Sequence, residues 1–312
     1  MNRADKSRRD NPSVDLVFTA DLGGTHLRAA TVDTEGRIHE RVKHKTPKAD
    51  KADEIVRAIS ALSVVVPGTV QVETGVVTKA PNVPCLDGFR LAAALTSELH
   101  LPATLENDAN AAAVGEMWMG AGRGSRTIIC VTLGTGVGGG IILDGELWRG
   151  IDGSAGEIGH IGVEPFGGVA CTCGSRGCLE VYASATAIVR MTREAAPRYP
   201  GSPLHSSEEL TAEKVYRSGV EGDELALEVF RRMGQYLGVG LASLINVLNP
   251  EKIVIGGGAA AGWELFAEHA REQIAARAFP VPARRAQLVR AERGDDAGLL
   301  GAAHIAFSQR EK

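Results

Sequence analysis

Short apolar runs punctuated by glycine turns give the chain its first readable elements. Val14 to Ala20 predicts a strand that ends in the turn Asp21-Leu22-Gly23-Gly24-Thr25. A second apolar run, Leu27 to Val32, is closed by Asp33-Thr34-Glu35-Gly36, so the pair reads as a hairpin whose tip suits close approach. A helix is expected over 51–62, and strands over 64–66 and 75–77. Asn107-Asp108 followed by Ala-Asn-Ala-Ala-Ala-Val-Gly-Glu opens like a helix, with Asn or Asp available to cap it. The opening pattern then returns. Thr127 to Leu133 predicts a strand, 134–140 a glycine loop, and Ile141 to Leu143 another strand closed by Asp144-Gly145. Two copies of strand, glycine loop and strand, some 110 residues apart, predict two related halves that face one another. Further on, helical spacing covers Glu224 to Leu248 and 263–276, with a short strand over 253–255 and Gly256-Gly257-Gly258 between them.

Composition narrows the class. A chain of 312 residues with 44% apolar and 23% charged residues fits two soluble domains. The net charge of −4 supplies no field for a polyanion, which argues against nucleic acid as a partner. The first 13 residues are basic without an apolar segment, so they read as a tail and not as a secretory signal. No apolar run reaches the length of a membrane span. Of five cysteines, three fall within residues 171–178, a spacing that suits a local metal or redox site in a cytoplasmic protein better than a disulfide framework.

Glycine is in excess, 38 residues, and it clusters in loops that follow apolar strands. Without a Cβ, a backbone can bring several N–H groups onto one anion, so such loops suit phosphates. The nucleotide fold is narrowed by what is missing. The chain has no Gly-Lys dipeptide, hence no P-loop, and neither His-Arg-Asp nor Asp-Phe-Gly of the protein kinases. A dinucleotide fold needs its glycines to open a helix, whereas 134–140 run into Ile141-Ile142-Leu143. What fits is a phosphate held by hairpin tips from two halves. Asp21 then serves as a carboxylate near a metal-bound phosphate, and Thr25 as a hydroxyl donor.

His160, Cys171, Cys173 and Cys178 form the spacing H-x10-C-x-C-x4-C. Three thiolates and an imidazole are the ligand set of a closed, structural zinc site, and Cys171 and Cys173 are too close in sequence for an unstrained bridge. Glu157 and Glu180 flank the same segment, so two carboxylates and the free imidazole nitrogen are expected in one neighbourhood, a set suited to the hydroxyls of a sugar.

These residues together resemble the ROK family of sugar kinases in the actin-like superfamily, and within it the bacterial glucokinases. The resemblance rests on Asp21-Leu22-Gly23-Gly24-Thr25, Val66-Pro67-Gly68, Ala80-Pro81-Asn82, Glu106 to Ala112, 134–140, Gly156 to His160, Cys171 to Glu180, and Gly256 to Gly258. It implies an α/β fold, actin-like (ribonuclease H-like), with two domains closing over a cleft that takes sugar and ATP. Residues 14–120 would form the small domain, completed by a C-terminal helix over 297–312, and 121–296 the large one.

By the same resemblance Asp108 would be the general base toward the 6-hydroxyl of glucose. Asn82, Asn107, Glu157, His160 and Glu180 would hold the other hydroxyls. Gly23, Gly24, Thr25, Gly134, Thr135, Gly136 and Gly138 would meet the phosphates, Gly256, Gly257 and Gly258 the adenosine, and Asp21 the Mg²⁺ of Mg·ATP. His160, Cys171, Cys173 and Cys178 would bind Zn²⁺, and the chain would form a homodimer or a tetramer. The alternative substrates are an N-acetylated hexosamine, mannose, allose or fructose. A sugar-responsive repressor would need a DNA-binding module ahead of Val14, where only 13 residues precede the first strand.

Overall fold

The computed structural model describes residues 15–23, 25–48, 51–58, 63–207 and 209–310. The tail expected at 1–13, the phosphate contact expected from Gly24 and the end of the helix expected over 51–62 lie outside the described residues. In chain order, the first half contains β1 (Leu16–Leu22), β2 (His26–Asp33), β3 (Ile38–Lys45), α1 (Ala52–Ala58), β4 (Ser63–Val66), β5 (Thr69–Gln71), β6 (Val76–Lys79), α2 (Leu91–Leu99), β7 (Thr104–Asn107) and α3 (Asp108–Met119). The second contains β8 (Ile128–Leu133), β9 (Val137–Leu143), β10 (Glu146–Leu147), α4 (Glu180–Ala183), α5 (Ala185–Ala195), α6 (Ala212–Val220), α7 (Glu224–Leu248), β11 (Lys252–Gly256), α8 (Trp263–Arg277), α9 (Pro280–Arg285), β12 (Gln287–Arg290) and α10 (Ala297–Arg310).

The repeat in the sequence is a repeat in topology. One sheet runs β3-β2-β1-β4-β7 and the other β10-β9-β8-β11-β12. In each, the first three strands are antiparallel and the last three parallel. Two helices fill the space between the sheets: α10 packs on β1, β2 and β4, while α3 packs on β8 and β9. They approach each other through small residues. A Cβ on Gly115 would lie 2.0 Å from the Ala297 carbonyl oxygen, and one on Gly301 only 1.8 Å from that of Ala111. The outer faces carry the two largest cores, one under α1 and α2, the other among α5, α7 and α8.

One expectation is corrected here. The segment 134–140 is a loop only over 134–136, and β9 starts at Val137. Its glycines are strand residues because α3 lies directly against them. A Cβ on Gly138 would meet Ala109 Cβ at 3.0 Å, and one on Gly140 would meet Ala113 Cβ at 2.5 Å. The edge strand β3 has no counterpart in the sequence reading. Its run Ile-His-Glu-Arg-Val-Lys-His-Lys is exposed from the second residue on, so no apolar alternation marks it.

Candidate functional site

Both hairpin tips open onto one cleft of about 890 Å³. Asp21, Gly23, Thr25, Asn82, Asn107, Asp108, Gly134, Thr135, Gly136, Gly138, Glu157, His160, Glu180 and Gly257 all line it. Gly256 and Gly258 do not. Gly257 is the one with φ of +85°, and a Cβ there would lie 2.5 Å from the Leu133 carbonyl oxygen, so the glycine is required for the turn to reach the loop after β8.

Asp108 sits where β7 gives way to α3. Asn107, not Asp108, caps the helix: its Oδ1 accepts from the Asn110 N–H at 2.9 Å, and its Nδ2 donates to the Gly68 carbonyl at 2.7 Å. That leaves the Asp108 carboxylate free for the cleft apart from one hydrogen bond, from the Ala109 N–H at 2.8 Å. Burial pushes Asp108 up to about 7, helped by the negative charges of Asp21 and Glu157 and opposed by backbone N–H groups. A carboxylate poised near neutrality is suited to accept a proton.

Behind Asp108, the buried Glu106 anchors the site. Arg149 Nε and Nη2 reach Glu106 Oε2 at 2.8 and 2.7 Å, while Oε1 accepts from the Asn107 N–H and Asn110 Nδ2, each at 3.0 Å. Arg149 begins the loop to Glu157, and its carbonyl takes the Ala155 N–H at 3.0 Å. One carboxylate therefore ties the strand that carries Asp108 to the loop that carries Glu157.

On the opposite wall, Glu180 Oε2 accepts from the Val137 N–H at 3.1 Å, so a carboxylate that lines the cleft also orders the glycine loop. Thr186 Oγ1 donates to the Thr135 carbonyl and the Ala185 N–H to that of Gly134, both at 2.8 Å. The His160, Cys171, Cys173 and Cys178 donor atoms lie within 4.8 Å of one another. His160 Nδ1 is 3.6 Å from Cys171 Sγ and Cys173 Sγ is 3.7 Å from Cys178 Sγ, with no disulfide among the three thiols. His160 Nε2 turns the other way, 3.8 Å from Glu157 Oε2. The imidazole thus belongs to the cluster and to the cleft at once.

Three charged residues that line the cleft escaped the sequence reading, Arg28, Lys79 and Asp295. Arg28 bridges Asp21 Oδ2 at 3.1 Å and Asp295 Oδ2 at 3.0 Å, and Lys79 pairs with Asp87. Burial raises Asp21, and the Arg28 guanidinium works against that rise. Arg28 occupies an ordinary strand position, and Asp295 arrives from the far end of the chain, so neither carries a local signal.

The ROK family model matches residues 17–309. The chain belongs to the ROK family. Among curated members, it is 38% identical to a glucokinase of Halalkalibacterium halodurans, covering 93% of this chain and 94% of the relative. It is 36% identical to a glucokinase of Thermotoga maritima, covering 94% and 98%. The Streptomyces griseus ROK glucokinase, solved with glucose and AMPPNP, superposes with a TM-score of 0.82 at 36% identity, covering 94% of this chain and all of that one (100%). The duplicated sheets are therefore the actin-like, two-domain α/β fold of the ROK sugar kinases.

Proposed function

We propose that this ROK protein transfers the γ-phosphoryl group of ATP to the 6-hydroxyl of glucose, with Asp108 as general base. The observation that carries the reading is a carboxylate raised to about 7 at the base of a cleft lined by two glycine loops. Asp108 accepts the hydroxyl proton as the sugar oxygen attacks phosphorus. Phosphoryl transfer asks little else of a protein than positioning and charge neutralisation. Asn82, Asn107, Glu157, His160 and Glu180 hold the remaining hydroxyls. Gly23, Gly24, Thr25 and the turn Gly134-Thr135-Gly136, with Gly138, present backbone N–H and hydroxyl donors to the phosphates. Adenosine lies toward Gly256, Gly257 and Gly258, and a neighbouring cavity of about 500 Å³ that shares Thr135 and is lined by Ala185, Val189 and Leu210 has room for the base.

Mg²⁺ enters with ATP and neutralises phosphate charge; the oxygen donor available for it is Asp21. For zinc the donor set fits. A tetrahedral ion with Zn–S of about 2.3 Å and Zn–N of about 2.0 Å spaces its ligands about 3.5–3.8 Å apart. Two of the pairs here are at 3.6 and 3.7 Å, and all lie within 4.8 Å. When bound, the ion fixes the His160 ring so that Nε2 faces the sugar. Residues 14–120 with 297–312, and residues 121–296, are the two bodies that would close on substrate. We further place the enzyme in the cytoplasm as a homodimer or tetramer; among the described residues no helix is long and apolar enough to cross a membrane.

A coupled assay of ADP release with Mg·ATP across a panel of hexoses tests the reading. Turnover greatest with glucose is expected. Preference for an N-acetylated hexosamine, mannose, allose or fructose would keep the mechanism and change the substrate. Absence of turnover with every sugar, from folded zinc-loaded protein, would overturn it.

A further inference from the structure

On the outer side of the second half, α7, α8 and the turn after α5 enclose another cavity of about 500 Å³, separate from the cleft. Its charge is lopsided. Arg198, Arg231, Arg232 and Arg277 line it against a single carboxylate, Glu228. Arg231 alone satisfies that carboxylate, with Nε at 2.9 Å and Nη2 at 2.6 Å from Oε2. Arg277 turns Nε to the neutral Gln273 Oε1 at 2.9 Å, Arg198 lies 5.8 Å above the Tyr199 ring, and Arg232 reaches the Tyr236 hydroxyl. None of these three has a carboxylate within ion-pair distance among the described residues.

A guanidinium keeps its charge at any physiological pH, so three of them in one concavity repel until an anion enters. Their planar forks match phosphate oxygens two at a time. A volume of this size is within the range of small-molecule sites. The cavity also leads toward the cleft through stacked rings. Tyr236, on its wall, stacks on Tyr182 with centroids 4.0 Å apart and planes at 20°. Tyr182 stands two residues beyond Glu180 in α4, and its hydroxyl accepts the Val169 N–H of the cysteine-bearing loop at 2.9 Å.

We propose that this cavity is a regulatory site for a small phosphate-bearing anion, either inorganic phosphate or a phosphomonoester, coupled to the sugar end of the cleft through Tyr236 and Tyr182. The binding half of the proposal stands without the kinase reading; the coupling half rests on it.

The test uses the full-length, zinc-loaded protein and two probes, inorganic phosphate and glucose 6-phosphate, in calorimetry without nucleotide. Arg198→Ala with Arg277→Ala removes two exposed guanidiniums that make no ion pair among the described residues; Arg277→Glu is the second variant. Because phosphate also enters the cleft, the diagnostic is the difference between wild type and variant. A binding event at least tenfold weaker in both variants, with melting temperature unchanged, is the expected result. Binding of phosphate alone would identify the free ion as the natural ligand, and binding of glucose 6-phosphate alone a phosphorylated sugar. Identical isotherms in wild type and variants would overturn the site. In the turnover assay, the probe should shift the glucose KM of wild type at least twofold more than that of the variants, in which only competition in the cleft remains, while turnover without probe is unchanged. Equal KM shifts in wild type and variants would overturn the coupling even if binding stands. If no hexose is turned over, a separate titration of glucose with and without probe reads the same coupling.

Discussion

Replacing Asp108 with Asn should trade activity for stability, and the trade should depend on pH. In the folded protein the carboxyl titrates at about 7, against 3.8 for the ordinary group. Between those values the folded state binds more protons than the unfolded one, so stability falls as pH rises through the window and stays low above it. Holding the ionised form in this place costs about 4 kcal/mol at pH 8, at about 1.4 kcal/mol for each tenfold change in proton affinity. Asn keeps an acceptor for the Ala109 N–H and removes the charge that faces Asp21 and Glu157. Thermal melts of Asp108→Asn should therefore lie several degrees above wild type at pH 8, with the gain shrinking toward zero near pH 4. Turnover should fall about 10²–10⁴-fold, the span of general-base catalysis. In wild type the ionised fraction climbs from about one tenth at pH 6 to about nine tenths at pH 8, so kcat/KM should rise about tenfold across that interval. A melting difference that does not change with pH, or a variant keeping more than a tenth of wild-type turnover, would refute the assignment of Asp108 as a half-buried base.

Three further outcomes follow from the contacts around it. Cys173→Ser should reduce zinc, measured by atomic absorption, from about one ion per chain to well below it, and raise the glucose KM as His160 loosens; zinc-free wild-type protein would contradict this. Arg149→Ala strands the buried Glu106 carboxylate without its cation and should cost about 3–5 kcal/mol in denaturant unfolding, with a loss below about 1 kcal/mol counting against the anchor. Gly68→Ala forces a side chain onto a φ of +123° with its Cβ 1.9 Å from the Lys79 carbonyl oxygen. It should destabilise by about 1–3 kcal/mol and raise the sugar KM by displacing the Asn107 amide.

Local chemistry was legible in the sequence wherever it was written in a short segment. The two hairpins, the helix opening at Asn107, the cysteine cluster and the long helix α7 each carry their own signal in composition or period. The topological repeat was visible as a repeated strand, glycine loop and strand before any sheet order was known. The helix over 263–276 appears as Trp263–Arg277, with a short 3₁₀ turn over Gly258–Gly262 intervening. Glycine misled once. In 134–140 Gly138 and Gly140 answer the close approach of α3 and Gly139 that of Ile158, within a strand where a loop was expected, and nothing in the segment itself distinguishes the two demands. Pairings that span the chain left no trace at all. Arg28 with Asp295, and Arg149 with Glu106, join residues separated by 267 and 43 positions, and only the fold brings them together.

The division of the site between the halves explains why so much of it is devoted to holding backbone. Asp108 and Asn107 come from the first half, whereas Glu157, His160 and Glu180 come from the second. In the proposed reaction the base and the groups that would orient its substrate therefore have to keep register across a boundary between two sheets. The register is kept by close approach and by shared carboxylates. Gly138 and Gly140 let α3 settle against β9, which sets Ala109, and with it Asp108, at a fixed depth above the turn 134–136. Glu106 binds the loop leading to Glu157 from below, and Glu180 binds Val137 from the other wall. Each carboxylate works on two elements at once, so a substitution at any of them should misplace groups it never touches. Misplacement of about 1 Å is enough to cost about 10²-fold in rate where chemistry depends on alignment. The groups proposed for the chemistry accordingly lie along the cleft where the two halves meet, and not in the cores that carry most of the buried apolar surface.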